Sequence, residues 1–249
     1  MEVKNIIITG SSSGIGKGLA KYYLSRNHNV IGLARRDNAD LSDNKNYKHY
    51  RIDLTDTDSI ATVIRDVKDL FRNIDLVVLN AGILGEIKRL ENISLEDSKK
   101  VLEINLWSNK AFIDELLQQK LNCKQIVGIS SGAAKNGSAG WGPYSISKAA
   151  LNMLLQTYAI ENPEIHFASV APGLVDTAMQ DYIYSLKSGD DFPTIAKLQA
   201  ANGTEDMPNA EVIAPKLDAL FQNVKAKAQS GIFVDIRNYN SFNLEMKHR

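Results

Sequence analysis

Short apolar runs alternate with longer amphipathic stretches along most of the chain, and this alternation limits the possible folds more than any other feature. We expect buried strands at the apolar runs, residues 3–9, 30–34, 47–52, 76–79, 125–129, 165–170 and 231–236. Helical periodicity predicts helices over residues 14–25, 56–71, 95–120, 143–160 and 210–221. Apolar strands that alternate with helices are typical of a parallel sheet covered on both faces. The sequence therefore predicts an α/β fold with a doubly wound parallel sheet.

The length and charge of the chain exclude several classes of protein. Its 249 residues, 44% of them hydrophobic, suit one large domain. Lys and Arg together number 29, as do Asp and Glu, so the charge gives no reason to expect a nucleic-acid or membrane partner. No apolar run has membrane-spanning length and no signal-peptide pattern follows Met1, so we expect a cytoplasmic protein. The histidines lack ligand spacing, and no metal site is expected.

A glycine-rich turn follows the first strand and opens the first helix. Glycines in such a turn let the backbone approach a pyrophosphate, which then lies at the helix N-terminus. The spacing is G-x-x-x-G-x-G, which differs from the G-x-G-x-x-G of many dinucleotide-binding proteins. We therefore predict a dinucleotide site whose contacts in this turn are Gly10, Ser12, Ser13, Gly14, Ile15 and Gly16.

Two arginines at the end of the second strand bear on the choice of dinucleotide. NAD sites commonly place an acidic residue there for the ribose 2′-hydroxyl, whereas Arg35 and Arg36 suit a 2′-phosphate. The sequence therefore favours NADPH/NADP⁺, and the alternative is that both arginines form a solvated strand end. Asp53 ends the third strand and either faces the adenine amino group or caps a loop or helix.

Tyr144 and Lys148 lie four residues apart in a predicted helix, which places them on one face. A phenol titrates near pH 10, and a nearby cation lowers that value, so Tyr144 is a candidate proton donor and acceptor. Ser131 lies thirteen residues upstream of Tyr144 and supplies a hydroxyl for the same substrate oxygen. These three side chains predict a proton-transfer site for a carbonyl or an alcohol.

Taken together, these motifs resemble those of the short-chain dehydrogenase/reductase family. The resemblance covers nearly the whole chain and includes the glycine turn, Asp53-Leu54, Asn80-Ala81-Gly82, Asn105, Ser131, Tyr144-x-x-x-Lys148 and Pro172-Gly173. It implies a single Rossmann-fold domain, residues 1–249, that transfers hydride between NADPH and a carbonyl carbon. It also implies further cofactor contacts at Asp53, Leu54, Asn80, Ala81, Gly82, Tyr144, Lys148, Pro172, Gly173, Val175 and Thr177.

The resemblance implies a role for each polar residue of the catalytic set. Tyr144 is the acid/base, Lys148 lowers its pKa and binds the nicotinamide ribose, and Ser131 polarises the substrate carbonyl. Asn105 holds a water molecule of the proton relay; the alternative is a mid-helix residue that faces solvent. Ser130 competes with Ser131, which is preferred for its spacing from Tyr144.

The chain resembles the sepiapterin reductase and benzil reductase branch of this family in three segments, residues 140–144, 147–153 and 171–180. The resemblance to that branch implies an aromatic or vicinal dicarbonyl compound as the substrate. Asp235 stands where sepiapterin reductases anchor the pterin, or it is a packing residue at a strand end. Trp141 forms an aromatic wall beside the substrate, or it belongs to the core. The alternatives are a 3-oxoacyl or hydroxysteroid reductase and a non-catalytic NADP(H)-sensing regulator.

Two further expectations concern the surface of the protein. Residues 177–208 place aromatic side chains in a loop-like stretch, which indicates a substrate lid or an irregular pair of surface helices. Relatives form dimers or tetramers through the helices that correspond to residues 95–120 and 143–160, so we expect a homodimer or homotetramer. Helical periodicity does not assign the core and partner faces of those helices.

Overall fold

The computed structural model describes residues 2–187 and 191–238. Their strands are β1 (Asn5–Thr9), β2 (Asn29–Ala34), β3 (Tyr47–Arg51), β4 (Asn73–Ile74), β5 (Leu76–Leu79), β6 (Asn122–Cys123), β7 (Gln125–Ile129), β8 (His166–Ala171) and β9 (Ile232–Asp235). Seven of these strands form a parallel central sheet in the order β3-β2-β1-β5-β7-β8-β9, and β4 pairs with β6 beside it. The predicted doubly wound α/β fold is confirmed.

Most helices of the described residues cover the two faces of this sheet, and α6 and α7 lie at one end of it. They are α1 (Gly14–Leu24), α2 (Thr57–Leu70), α3 (Leu95–Leu102), α4 (Ser108–Gln118), α5 (Gly142–Glu161), α6 (Ala178–Ser185), α7 (Pro193–Ala201) and α8 (Ala210–Lys227). None of them has both the length and the apolar character needed to cross a membrane.

Apolar side chains on both sides of the strands build two cores. Successive strand residues point to opposite faces, so Ile7 packs with α2, α4 and α5 while Ile6 and Ile8 pack with α1 and α8. This double burial explains why the strands are apolar throughout. The chain adds strands outward from β1 to β3 and then crosses to β5, which makes the β1/β5 crevice the switch point where α/β proteins bind ligands.

The helix predicted over residues 95–120 is interrupted. A π-helical turn, Glu103–Trp107, separates α3 from α4 and contains Asn105. The side chain of Asn109 donates a hydrogen bond to the Asn105 carbonyl at 2.8 Å inside the bulged segment. The single helix predicted over these residues is therefore corrected to two helices joined by a π turn.

Residues 177–208 contain the helix pair α6 and α7, although residues 188–190 lie outside the described residues. A third apolar cluster joins this pair to the loop after β5 and to Trp141. Its buried members are Leu84, Ile87, Trp141, Ile183, Ile195, Leu198 and Met207. The helix pair therefore packs on one end of the domain, next to the switch point.

Candidate active site

A cavity of about 760 Å³ lies along the carboxyl ends of the central strands. This volume is within the range of small-molecule and cofactor sites. Predicted site residues that line it are Gly10, Ser12, Ser13, Gly14, Ile15, Arg35, Arg36, Asp53, Leu54, Asn80, Ala81, Gly82, Ser131, Trp141, Tyr144, Lys148, Pro172, Gly173, Val175 and Thr177. The structure thus brings together residues that are distributed over most of the sequence.

The glycine turn approaches the loop after β5 too closely for side chains. Gly10 and Gly14 have φ values of +68° and +52°, in the left-handed region that favours glycine. A Cβ on Gly16 would lie 2.4 Å from the Gly10 carbonyl oxygen, so Gly16 supports the turn and does not line the cavity. The Asn80 amide donates to the carbonyls of Thr9 at 2.9 Å and Gly10 at 3.2 Å, which fixes the turn to β5.

The helix that follows this turn begins without a side-chain cap. Ser13 is the N-cap residue of α1, and its hydroxyl makes no capping hydrogen bond to the helix. The first backbone N–H groups of a helix have no partner within the helix, and their dipoles favour an anion. The cavity end of α1 is therefore suited to a phosphate group.

Both arginines after β2 are exposed and line the cavity. The Arg36 guanidinium donates to the Ser13 hydroxyl at 3.4 Å. Hydrogen bonds from Thr55 and the nearby charge of Arg35 lower the pKa of Asp53, against the opposing effect of burial. Asp37, the next acidic residue, is not on the cavity wall and lies 3.7 Å from His49. The described wall near β2 is therefore cationic.

The Tyr144 and Lys148 side chains share one face of α5, as predicted. The Lys148 ammonium lies 5.8 Å from the centre of the Tyr144 ring and donates to the Ile129 carbonyl at 2.8 Å. Burial lowers the pKa of Lys148 to about 8. A Cβ on Gly82 would lie 3.1 Å from the Asn105 amide oxygen, so glycine leaves room for that side chain next to Lys148.

The predicted lowering of the Tyr144 pKa by Lys148 requires correction. Burial raises the pKa of Tyr144, and a hydrogen bond with Ser131 opposes the rise. Desolvation acts on both members of the pair, and the lysine directs its hydrogen bond to a backbone carbonyl. The helical spacing correctly predicted that the two side chains are close together. It carries no information on how much water the phenol and the ammonium lose on burial.

Asn105 is fully buried in the π turn, which excludes the solvent-facing alternative. Its amide oxygen accepts from the Ile83 backbone N–H at 2.8 Å, and its amide nitrogen donates to the Ile83 carbonyl at 2.8 Å. The same nitrogen donates to the Ser147 hydroxyl at 3.0 Å. Asn105 does not line the cavity; it joins the loop after Gly82 to α5. Its water-relay role stays a prediction.

Ser130 and Ser131 both line the cavity at the end of β7. The Ser131 hydroxyl accepts from the Ala133 backbone N–H at 3.1 Å and interacts with Tyr144. Ser130 is buried, and its hydroxyl has no partner within the described residues. The geometry favours Ser131 as the serine that shares a substrate oxygen with Tyr144.

The two alternatives for Trp141 are both realised. Its ring lies 6.4 Å from the Tyr144 ring at an interplanar angle of 66°, on the cavity wall. The same indole is buried in the third apolar cluster, against Leu84 and Ile87. Trp141 is therefore both a wall residue and a core residue of the helix-pair region.

Asp235 does not line the cavity, and its carboxylate is bound by Arg237. The guanidinium nitrogens Nε and Nη2 lie 2.9 Å and 2.5 Å from the two carboxylate oxygens, and the Arg237 backbone N–H also donates to Asp235. Arg237 lines the cavity and was missed by the sequence reasoning. A charged residue two positions after the aspartate at a strand end was the available signal.

The fold and the site define an oxidoreductase with a Rossmann-like α/β domain. A sequence model described as short chain dehydrogenase matches residues 4–187, and the chain belongs to this family. Benzil reductase ((S)-benzoin forming) of Bacillus subtilis (strain 168) is 31% identical over 246 residues, which cover 94% of this chain and 98% of the relative. The enzyme of the same name from Bacillus cereus is 29% identical over 238 residues, with 88% and 94% covered.

A solved structure agrees with this assignment. The solved structure of ElxO with NADP bound superposes with a TM-score of 0.79 at 25% sequence identity, and the match covers 96% of this chain and all of that one. The resemblance to the benzil reductase branch, made from the sequence, is confirmed by the relatives.

Proposed function

We propose that this protein is an NADPH-dependent reductase that converts one carbonyl of an aromatic or vicinal dicarbonyl compound to an alcohol. One observation carries the proposal: Tyr144, Lys148 and Ser131 meet on the wall of a cavity whose other end is lined by Arg35 and Arg36. The tyrosine, lysine and serine suit the transfer of a proton, and the two arginines suit the binding of a 2′-phosphate. The benzil reductase relatives support the substrate class.

The described residues fit a dinucleotide that carries a 2′-phosphate. The glycine turn and the uncapped start of α1 suit the pyrophosphate, and the arginines suit the additional phosphate. Pro172, Gly173, Val175 and Thr177 line the wall near α6, where a nicotinamide carboxamide would lie. When bound, the cofactor supplies the hydride.

The protein's own contribution is control of the proton and of developing charge. Tyr144 donates its proton to the carbonyl oxygen, and Ser131 donates a hydrogen bond to the same oxygen. Both interactions strengthen as negative charge develops on that oxygen, so they lower the barrier and do not merely improve binding. Lys148 donates to the Ile129 carbonyl and would bind the nicotinamide ribose, while Asn105 fixes the surrounding loop.

Apolar side chains from the helix pair favour a planar, aromatic substrate. Trp141 and Leu84 stand on one side of the substrate end of the cavity, and Ile183 and Leu198 reach it from α6 and α7. We propose that α6 and α7 form the substrate lid predicted for residues 177–208. Closure of such a lid would exclude water from Tyr144.

The two remaining functional classes have weaker support. A 3-oxoacyl or hydroxysteroid reductase shares the catalytic set, but the similarity to a benzil reductase covers 94% of this chain, whereas that to a 3-oxoacyl-[acyl-carrier-protein] reductase covers 72%. A non-catalytic NADP(H) sensor has no need of a tyrosine, a buried lysine and a serine on a common wall. The arrangement of those three groups therefore favours catalysis.

The test mixes purified protein and NADPH with benzil, sepiapterin or an acetoacetyl thioester and follows the near-ultraviolet absorbance of NADPH. We expect oxidation with benzil, with NADPH preferred over NADH and an alcohol as the product. Activity confined to the thioester would favour the 3-oxoacyl alternative. Tight NADPH binding without turnover of any carbonyl would favour the sensor.

A further inference from the structure

We infer that Arg237 is a specificity-determining residue that binds a second substrate oxygen next to the reacting carbonyl, and that Asp235 positions its guanidinium. This inference rests on the proposed function and names the substrate feature that the site selects. It replaces the expected substrate contact of Asp235 with one made by its partner.

The position of Arg237 supports this role. A Cβ on Gly132 would lie 2.8 Å from the Arg237 nitrogen Nη2, so the guanidinium lies directly against the residue that follows Ser131. A Cβ on Gly173 would lie 3.7 Å from the Arg237 Cγ. The side chain therefore crosses between the loops that follow β7 and β8, on the cavity wall beside the candidate catalytic serine.

Within residues 2–187 and 191–238, the hydrogen bonds of Arg237 engage Asp235 and leave part of its donor surface available. A guanidinium carries five N–H donors in a rigid plane. The contacts with Asp235 occupy the edge formed by Nε and Nη2. The other edge, formed by Nη1 and the outer N–H of Nη2, presents parallel donors that match an oxygen acceptor on a planar substrate.

Burial of Asp235 explains how the guanidinium is held in place. The Asp235 side chain is 9% exposed, whereas that of Arg237 is 57% exposed. A buried carboxylate with two hydrogen bonds to one guanidinium fixes its orientation, which reduces the entropy lost when substrate binds. The ion pair also balances the arginine charge, so a neutral carbonyl oxygen is a suitable ligand.

The experiment compares benzil with deoxybenzoin, which has the same two rings but lacks the second carbonyl oxygen. The double variant Asp235→Asn/Arg237→Met removes the guanidinium without leaving a buried carboxylate unpaired. We expect the ratio of kcat/KM values, benzil over deoxybenzoin, to fall about 10- to 100-fold, the effect of losing a hydrogen bond to a charged donor. Equal losses for both substrates, or no loss, would overturn the inference.

Two single variants test whether a fall in the benzil-to-deoxybenzoin ratio is caused by the positioned guanidinium of Arg237. Lys135 lies over the Phe233 ring at 4.6 Å and is not on the cavity wall, so Lys135→Met should leave the ratio unchanged. A similar fall in Lys135→Met would mean that general positive charge matters and would overturn the role of Arg237. Asp235→Asn retains the guanidinium but weakens its anchor; we expect a higher KM for benzil with kcat nearly retained, and a fall in kcat alone would contradict positioning.

Failure of the inference is distinguishable from failure of the proposed function. If the wild-type protein oxidises NADPH with neither ketone, the proposed function fails. Calorimetric binding of benzil in the presence of NADP⁺ then decides the role of Arg237 without turnover. Weaker binding by the double variant than by the wild type supports the inference, and equal binding or no binding to the wild type overturns it.

Discussion

The ammonium nitrogen of Lys148 lies 5.8 Å from the centre of the Tyr144 ring. Burial raises the pKa of the tyrosine and lowers the pKa of the lysine, so it favours the neutral form of both. The two pKa changes therefore share one cause, the loss of water around the pair, and the Ser131 hydrogen bond opposes it at the tyrosine.

Removal of the Tyr144 hydroxyl should reduce turnover by at least two orders of magnitude, about 10²-fold or more. We expect Tyr144→Phe to lower kcat by about 10²- to 10⁴-fold, because the proton donor is lost while the ring still packs beside Trp141. NADPH affinity, measured by fluorescence titration, should be nearly unchanged. Tyr50→Phe is the matched control: it deletes a buried hydroxyl outside the cavity, and its kcat should equal that of the wild type. Appreciable activity in Tyr144→Phe would remove Tyr144 from the acid/base role.

The burial of Lys148 predicts a pH-dependent stability. Its pKa is about 8 in the folded protein and 10.5 in an unfolded chain. Between these values the unfolded chain binds a proton that the folded protein does not, so the free energy of unfolding rises with pH across this window. Below about pH 8 the lysine destabilises the fold by its full effect, about 3 kcal/mol.

Lys148→Met should therefore be more stable than the wild type at pH 7. The substitution removes this penalty but leaves the Ile129 carbonyl without its donor, which costs about 1 kcal/mol, so we expect a net gain of about 2 kcal/mol. Urea denaturation at pH 7 and at pH 10.5 should show the gain at the lower pH and its loss at the higher one. Lower stability at pH 7 would show that the ammonium is not penalised by burial.

Arg35 should determine the preference for the phosphorylated cofactor. We expect Arg35→Asp to lower the ratio of kcat/KM values, NADPH over NADH, by about 10- to 100-fold, because it replaces a phosphate-binding cation with an acid suited to the 2′-hydroxyl. Arg89→Asp, at an exposed arginine outside the cavity, is the control and should retain the wild-type ratio. If the ratio is unaltered in Arg35→Asp, the 2′-phosphate is bound elsewhere, and Arg36 beside Ser13 is the next residue to test.

Strands in which every residue is buried have the clearest signature in the sequence. Residues 76–79 and 125–129 were predicted as strands, and β5 and β7 have those bounds because each strand residue is buried on one face or the other. The motif residues around the cavity were predictable from their order in the sequence and from their spacing relative to the ends of the strands. The candidate site was thus largely predictable as a set of residues.

What the sequence did not reveal depends on contacts between distant segments. The π turn at Asn105 is stabilised by hydrogen bonds to Ile83 and Ser147, which lie on two other elements. The orientation of Arg237 depends on its bond to Asp235 and on the space left by Gly132. The raised pKa of Tyr144 depends on how much water the assembled domain excludes. None of these three features can be predicted from the spacing of residues along the sequence.

The structure assigns the two faces of α5, which periodicity left open. Leu151 and Leu155 are fully buried against the sheet. On the opposite face Ile146, Met153 and Ile160 are 50%, 62% and 78% exposed. Their seven-residue spacing places them in one stripe along the helix, an apolar surface without a partner among the described residues.

We propose that this stripe is part of the predicted homodimer or homotetramer interface. We expect Met153→Glu/Ile160→Glu to be monomeric in size-exclusion chromatography with light scattering, because a two-fold axis between α5 helices brings the new carboxylates of both copies together. Val212→Glu is the control: Val212 is an apolar residue of α8 with 51% exposure, and its substitution should leave the assembly intact. Thermal unfolding should show that both variants fold. An unchanged oligomer in the double variant would mean that the copies meet elsewhere, and a wild-type monomer would contradict the assembly itself.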